Sequence, residues 1–264
     1  MLEDLRTAAR AARRSPAFSA AVVVCLALGI GVTTTMFTIA NALLLRPLPY
    51  EDPGAIVTVR ERRLDATEGR AGSLSLPAFV DYRAQTTAFA ALGAYRGQAY
   101  NLAADRGEAE YVEGSEMSPS VLAVLGVAPL HGRGFLPDEE RPGRNRVALL
   151  GWDLWQRRFG GSPSVVGRQV LLNGEGHTVV GVMPRGFGFP QTDQLWTPLA
   201  VDVARHARGD HAFVGVARLR PGVTLERAQA ELDAVAARLA RELGDRPVRG
   251  PLRAVVATAR RPAP

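Results

Sequence analysis

The stretch AFSAAVVVCLALGIGVTTTMFTIANALLL, residues 17–45, carries no charged side chain and stands between Arg14 and Arg46. About 20 apolar residues suffice to cross a bilayer, so the run reads as a transmembrane helix and the rest of the chain as what hangs from it. At ~1.5 Å per residue it is longer than the ~30 Å hydrocarbon core, which leaves a tilt or a short stalk. Thr33-Thr34-Thr35 is tolerated there because threonine hydroxyls bond back to helix carbonyls. Ala27 and Gly31, four apart, form a small-xxx-small face suited to packing on another helix; the bland alternative is that small residues are abundant in this run. Cys25, the one cysteine, reads as a small lipid-facing or packing residue.

The flanks set the orientation. Arg6, Arg10, Arg13 and Arg14 precede the run against Glu3 and Asp4, whereas Arg46 is soon followed by Glu51 and Asp52. The positive-inside bias places the N-terminus in the cytoplasm and everything after about residue 46 outside, which in a bacterium with two membranes is the periplasm. Ala40-Asn41-Ala42 fits a signal-peptide cleavage pattern, but signal h-regions span only about 7–15 residues, and the greater length here favours an uncleaved anchor. Residues 1–16 repeat Leu2, Leu5, Ala9 and Ala12 at helical spacing with the four arginines opposite. Such a segment suits an anionic inner leaflet, and the arginines are candidate contacts to lipid and to a cytoplasmic partner. Ser15-Pro16 reads as an N-cap followed by proline at the first helical position.

Composition removes several function classes. All 32 basic residues are arginine, so a P-loop lysine, a Schiff-base lysine and a serine–lysine dyad are excluded. The net charge of +6 is terminal: residues 1–16 carry four Arg against two acids (+2), residues 246–264 carry five Arg and no acid (+5), and residues 17–245 sum to 6 − 7 = −1. A nearly neutral body gives no electrostatic case for nucleic acid. Without a disulfide, that body must be held by its core.

Along the exported part, Pro47 and Pro49 end the membrane helix, Ile56–Val59 reads as a strand and 60–73 as a charged loop. Pro77 opens a helix through about Gln85; residues 92–102 and 108–115 alternate as strands. Ser118 and Pro119 start a short helix that Gly126 ends. Val147–Leu150 reads as a buried strand, and 152–159 as a helix with Trp152, Trp155 and Phe159 on one face. Gln169–Leu172 and Thr178–Val182 bracket the hairpin pair Asn173-Gly174, whereas 184–198 reads as irregular. Strand Phe213–Leu219 precedes the clearest helix, 224–243, whose stripe is Leu225, Ala228, Leu232, Val235, Ala236, Leu239 and Leu243, with Gly244 as its stop. The tail 246–264 reads as loose, and the class as α+β.

A search for chemistry finds little. His131, His177, His206 and His211 form no metal-ligand array, and His206 and His211 around Asp210 read as a solvated loop. Asp138-Glu139-Glu140 reads as a solvated surface rather than an acid/base pair. Gly29 and Gly31 lie in the apolar run with no strand before them, which excludes a nucleotide fingerprint. The expectation is no catalytic site, no cofactor and no metal.

Seven ordered stretches resemble one family: LEDLRTAARAARRSPAF, LALGIGVTTTMFTIANALLLRPLPY, LPAFVDYRAQTTAFAALGAY, SPSVLAVLGVAPLHGRGF, VALLGWDLWQRRFGG, VLLNGEGHTVVGVMPRGFGFP and VARLRPGVTLERAQAELDAVAARLA. Together they are similar to the N-terminal half-module of MacB-like ABC transporter permeases of the acidobacterial, duplicated type. The resemblance implies a membrane helix (17–45), then a two-lobed mixed α/β periplasmic core domain (46–245), with a porter-like lobe interrupted by a second lobe near 118–205. It implies a cytoplasmic ATPase subunit and other permease chains as partners, the latter as a homodimer or a second half. It also implies an inner-membrane location, no catalytic residue in the permease, and efflux or export of substrates such as peptides, macrolides or lipoproteins. Residues 251–262 resemble the approach to a second membrane helix, so the chain is expected to be a fragment or a truncated product. The competing classes are a membrane-tethered periplasmic sensor and an exported hydrolase, the latter requiring His131, His177 and His211 to converge.

Overall fold

The computed structural model describes residues 16–40, 50, 52–63, 72–103, 109–243 and 252–258; at 16, 18–20, 22–23, 37–40, 62–63, 243 and 252–258 it describes the backbone alone. The chain divides into two units, Met1–Pro49 with Arg260–Pro264, and Tyr50–Ala259.

The first unit contains helix α1, Pro16–Ala40, which opens on its proline and holds no acidic or basic residue in its end turns. Thr33 Oγ1 donates to Gly29 O at 2.7 Å and Thr35 Oγ1 to Gly31 O at 2.8 Å, so the hydroxyls are satisfied within the helix. Side chains from Val24 to Met36 are exposed, including Cys25. Among the described residues no helix is long and apolar enough to cross a membrane; consecutive described side chains of α1 run only over those thirteen positions, 24–36.

Among its described residues the second unit is built on eleven strands in one mixed sheet. In chain order they are β1 (Ile56–Arg63), β2 (Leu74–Ser75), β3 (Phe89–Ala103), β4 (Glu110–Met117), β5 (His131–Gly132), β6 (Val147–Leu150), β7 (Gln169–Leu172), β8 (Glu175–Val182), β9 (Leu195–Pro198), β10 (His211–Leu219) and β11 (Leu252–Thr258). The helices are α2 (Leu76–Gln85), α3 (Ser120–Leu125), α4 (Trp152–Phe159) and α5 (Leu225–Leu243).

One long strand organises both lobes. The first part of β3, Phe89 to Tyr95, pairs antiparallel with β10 in the order β11-β1-β10-β3. Its later part, Tyr95 to Leu102, pairs with β4, and its end, Leu102 and Ala103, pairs with β7. From β4 the pairings run through β9, β6 and β8 to β7, and so return to β3. Six strands thereby close on themselves, which removes the free edges an open sheet would present.

Strand alternation sorts the buried side chains into three clusters. Val57 and Val59 of β1 and Phe213 and Ala217 of β10 face Phe79 and Tyr82 of α2 and Ala228, Leu232 and Val235 of α5. Tyr100, Leu102, Val112, Leu150, Val170, Leu172, Val179 and Leu195 meet among the six closed strands, with Leu154 and Trp155 of α4. The third cluster joins the lobes: Ile56 and Val216 from the opposite face of β1 and β10 meet Leu149, Val180 and Trp196 from the closed strands, with α3 supplying Val121, Leu122, Val124 and Leu125.

Local rules explain the ends. Ser75 Oγ accepts from Ala78 N at the start of α2, and Asn173 (φ 51°) and Gly174 (φ 83°) take the left-handed conformations of the β7–β8 hairpin. Four expectations change. β1 continues through Arg63, so the charged segment begins as strand. The segment read as irregular contains β9, parallel to β4 and antiparallel to β6. Ser118 does not cap α3 with its side chain; its Oγ takes the Ala94 N–H at 3.0 Å instead. The tail read as loose contains β11, antiparallel to β1 from Val57↔Thr258 to Arg63↔Leu252, because an unpaired β1 edge is available to it. Gly244 lies outside the described residues.

Candidate functional site: the seam between the lobes

Polar contacts reinforce the apolar seam at its rim. Arg83 of α2 reaches Glu140 of the 3-10 turn Pro137–Glu140, Nη1 lying 2.9 Å from both carboxylate oxygens. The Glu140 carbonyl accepts from Val201 N at 2.7 Å, and Leu199 N donates to Met117 O at 3.0 Å. Arg133 holds Glu139 with Nη2 at 2.7 Å from Oε1, while Leu136 N donates to Oε2 at 2.7 Å. Asp138 pairs with Arg141 at 2.9 Å and with Arg144. The acidic run read as a solvated surface is therefore an arginine-clamped turn, with Glu139 itself buried. Arg218 Nε donates to Val124 O at 2.9 Å and so fastens α3 to β10.

Close backbone approach fixes the closed strands. A Cβ on Gly114 of β4 would stand 2.1 Å from Leu195 O, and one on Gly181 of β8 would stand 2.6 Å from Arg133 O. Only glycine permits these contacts.

The first lobe contains a buried polar knot. Glu61 is 2% exposed and accepts from Ser75 N and Tyr82 Oη, both at 3.3 Å. His211 Nδ1 lies 3.1 Å from Glu61 Oε2 and 2.9 Å from Ser73 O. The hydrogen bond to Glu61 pushes the His211 pKa up against its partial burial, and burial followed by the Glu61 charge pushes the Tyr82 hydroxyl up. Tyr82 thus stays a neutral donor. Sequence reading missed Glu61, although strict alternation after Val57 and Val59 places it on the buried face. Arg83 with Glu140 has no comparable local signal, being 57 residues apart.

The other predicted positions fall elsewhere. Ala27 and Gly31 lie on exposed turns of α1, where a Cβ on Gly31 would meet nothing within 4 Å. Arg6, Arg10, Arg13 and Arg14 lie outside the described residues. The histidines have different neighbours: His131 meets Trp155 edge-on at 5.2 Å, His177 meets the Glu175 carbonyl at 3.0 Å and His206 meets Asp210 at 3.0 Å. Among the described residues no three His, Cys, Asp or Glu side chains could hold a metal ion.

The long strand β3 is shared by both lobes, and the third cluster packs them together. In a comparison with protein families, the MacB-like periplasmic core domain matches residues 19–235. The chain belongs to that family. Solved structures of MacB-like and related permease domains share its fold. A domain of a protein assigned as a permease from Porphyromonas gingivalis superposes with TM-score 0.62 at 17% identity, covering 81% of this chain and 95% of that one. The periplasmic region of MacB from Actinobacillus actinomycetemcomitans gives 0.56 at 13%, covering 76% and 88%. The extracellular domain of the noncanonic ABC-type transporter YknZ from Gram-positive bacteria gives 0.54 at 13%, covering 75% and 99%. A search of curated proteins finds no match. At these identities the MacB-like likeness to solved domains is one of fold; membership rests on the family match. The chain is a MacB-like permease component with a two-lobed mixed α/β body.

Proposed function

We propose that this chain is the membrane-anchored part of an ABC transporter permease. It couples ATP hydrolysis on a separate cytoplasmic subunit to a conformational change in its extracytoplasmic body, for efflux or export. The single observation behind this reading is where the family match begins: residue 19 lies inside the uncharged run, which supports reading that run and the body as one unit. In this account residues 17–45 cross the inner membrane once, with the N-terminus cytoplasmic. Arg6, Arg10, Arg13 and Arg14 meet lipid headgroups and the ATPase, and Ala27 and Gly31 pack on a helix of another permease chain. The inserted lobe, taken as about 118–205, moves with the porter-like lobe through the seam, because interlocked packing passes strain between elements.

The test is affinity capture of the tagged full chain from membranes of its native host. Recovery of an ATPase and of further permease chains supports the reading, as does ATP turnover that falls when the seam is broken by Leu125→Ala. Recovery of a sensor kinase in place of the ATPase overturns it.

A further inference from the structure

A second site lies on the closed-strand lobe, outside the arginine–carboxylate contacts of the seam. A cleft of 420 Å³ opens beside α4, walled by Trp152, Phe187 and the backbone of Gly151, with Arg157, Asp193 and Gln194 at its polar side. That size suits a small ligand or a side chain with its stem. The walls are braced: Gly151 N donates to Gln194 O at 2.7 Å, and the Phe187 ring tilts on Trp196 at 5.0 Å.

Its charges are unequal. Arg157 is already committed, its Nη2 lying 2.6 Å from Glu110 Oε1 and 3.0 Å from Gln194 Oε1. Asp193 is half-buried and receives the Ser115 hydroxyl, yet no arginine pairs with it among the described residues. Glu110, Glu116, Asp138, Glu139 and Glu140 each hold one. Burial pushes the Asp193 carboxyl up, with Glu113 adding to it against the Ser115 hydrogen bond, as expected of an anion lacking a counter-charge. The aromatic wall already accepts a cation: the exposed Arg185 guanidinium stands 4.9 Å above the Trp152 ring.

We infer that this cleft binds an organic cation, an ammonium or guanidinium on an apolar stem, with Asp193 as counter-charge and the Trp152 and Phe187 rings as walls. Arg185 stands over the Trp152 ring beside the cleft and competes with the ligand for that ring. The inference stands on these residues alone and does not depend on the transport reading.

The test titrates the purified full chain with phenethylamine, with its neutral counterpart 2-phenylethanol, and with acetyl-Leu-Arg-Leu-amide, by calorimetry. Saturable binding of either cation, weakened about tenfold or more by Asp193→Asn, is the expected result. Arg185→Gln is expected to tighten it, a gain that misfolding cannot mimic. Binding of the amine alone identifies a free amine ligand, and binding of the peptide alone identifies a polypeptide segment. No binding by either cation, equal binding of 2-phenylethanol, or an unchanged affinity in Asp193→Asn overturns the inference.

Discussion

Arg83 and Glu140 meet across the seam, one guanidinium nitrogen lying 2.9 Å from both oxygens of the carboxylate. Arg83 stands on α2, which covers β1 and β10, and Glu140 on the turn Pro137–Glu140 of the other lobe. The pair is only part-buried, so its worth lies in fixing one lobe against the other more than in overall stability. A double-mutant cycle with Arg83→Gln and Glu140→Gln should give a coupling of about 1 kcal/mol in denaturant unfolding. It should also raise hydrogen exchange around residues 137–140 in each single variant. Zero coupling with unchanged exchange would remove the pair from the seam.

The Glu61–His211 contact makes stability depend on pH with a defined sign. The folded protein raises the His211 pKa above its ordinary 6.5, so the folded state holds the proton more tightly than the unfolded chain. The resulting stabilisation is complete below about 6.5 and is lost as pH rises through the folded value. Glu61→Gln should return the His211 imidazole toward its ordinary titration range in NMR and flatten that part of the pH–stability curve. An imidazole that titrates identically in both proteins would contradict the assignment.

Gly114→Ala should cost about 2–3 kcal/mol or prevent folding, because the added Cβ would press on the Leu195 carbonyl where β4 and β9 run parallel. Gly97→Ala, in the neighbouring strand, meets nothing within 4 Å and should stay within about 0.5 kcal/mol of the parent. Thermal unfolding of the two variants side by side decides the matter, and equal losses would mean that the close approach is wrong.

On the proposed topology, replacing Arg6, Arg10, Arg13 and Arg14 together by Glu should invert or randomise the orientation of the anchor, because a cytoplasmic arginine excess biases it. Protease accessibility in sealed vesicles reads the result. An unchanged digestion pattern would assign the orientation to another feature.

How far the fold could be read from sequence depended on how local its causes are. The stripe at Ala228, Leu232, Val235 and Ala236 predicts its helix, and each of these side chains is buried in the first cluster. Asn173-Gly174 predicts its hairpin because two adjacent residues carry the whole turn. β9 escaped because Leu195–Pro198 is a strand only through β4 and β6, and β11 because Pro- and Arg-rich flanks hide its pairing with β1. The closure of six strands rests on Leu102↔Leu172 and Ala103↔Leu171, contacts no local pattern announces. The same applies to Glu140 of the acidic turn, which looks solvated until Arg83, 57 residues away, is brought to it.

The most direct test of the anchored-body account is labelling of full-length chains with a membrane-impermeant maleimide in intact cells with a permeabilised outer envelope. Cys25 is first replaced by Ala, and a single cysteine is placed either at Tyr111, 66% exposed on the body, or at Thr7 before the anchor. The account predicts that Tyr111→Cys is labelled at once and Thr7→Cys only after lysis. The reverse pattern, or recovery of the Tyr111→Cys chain in the soluble fraction, would contradict it.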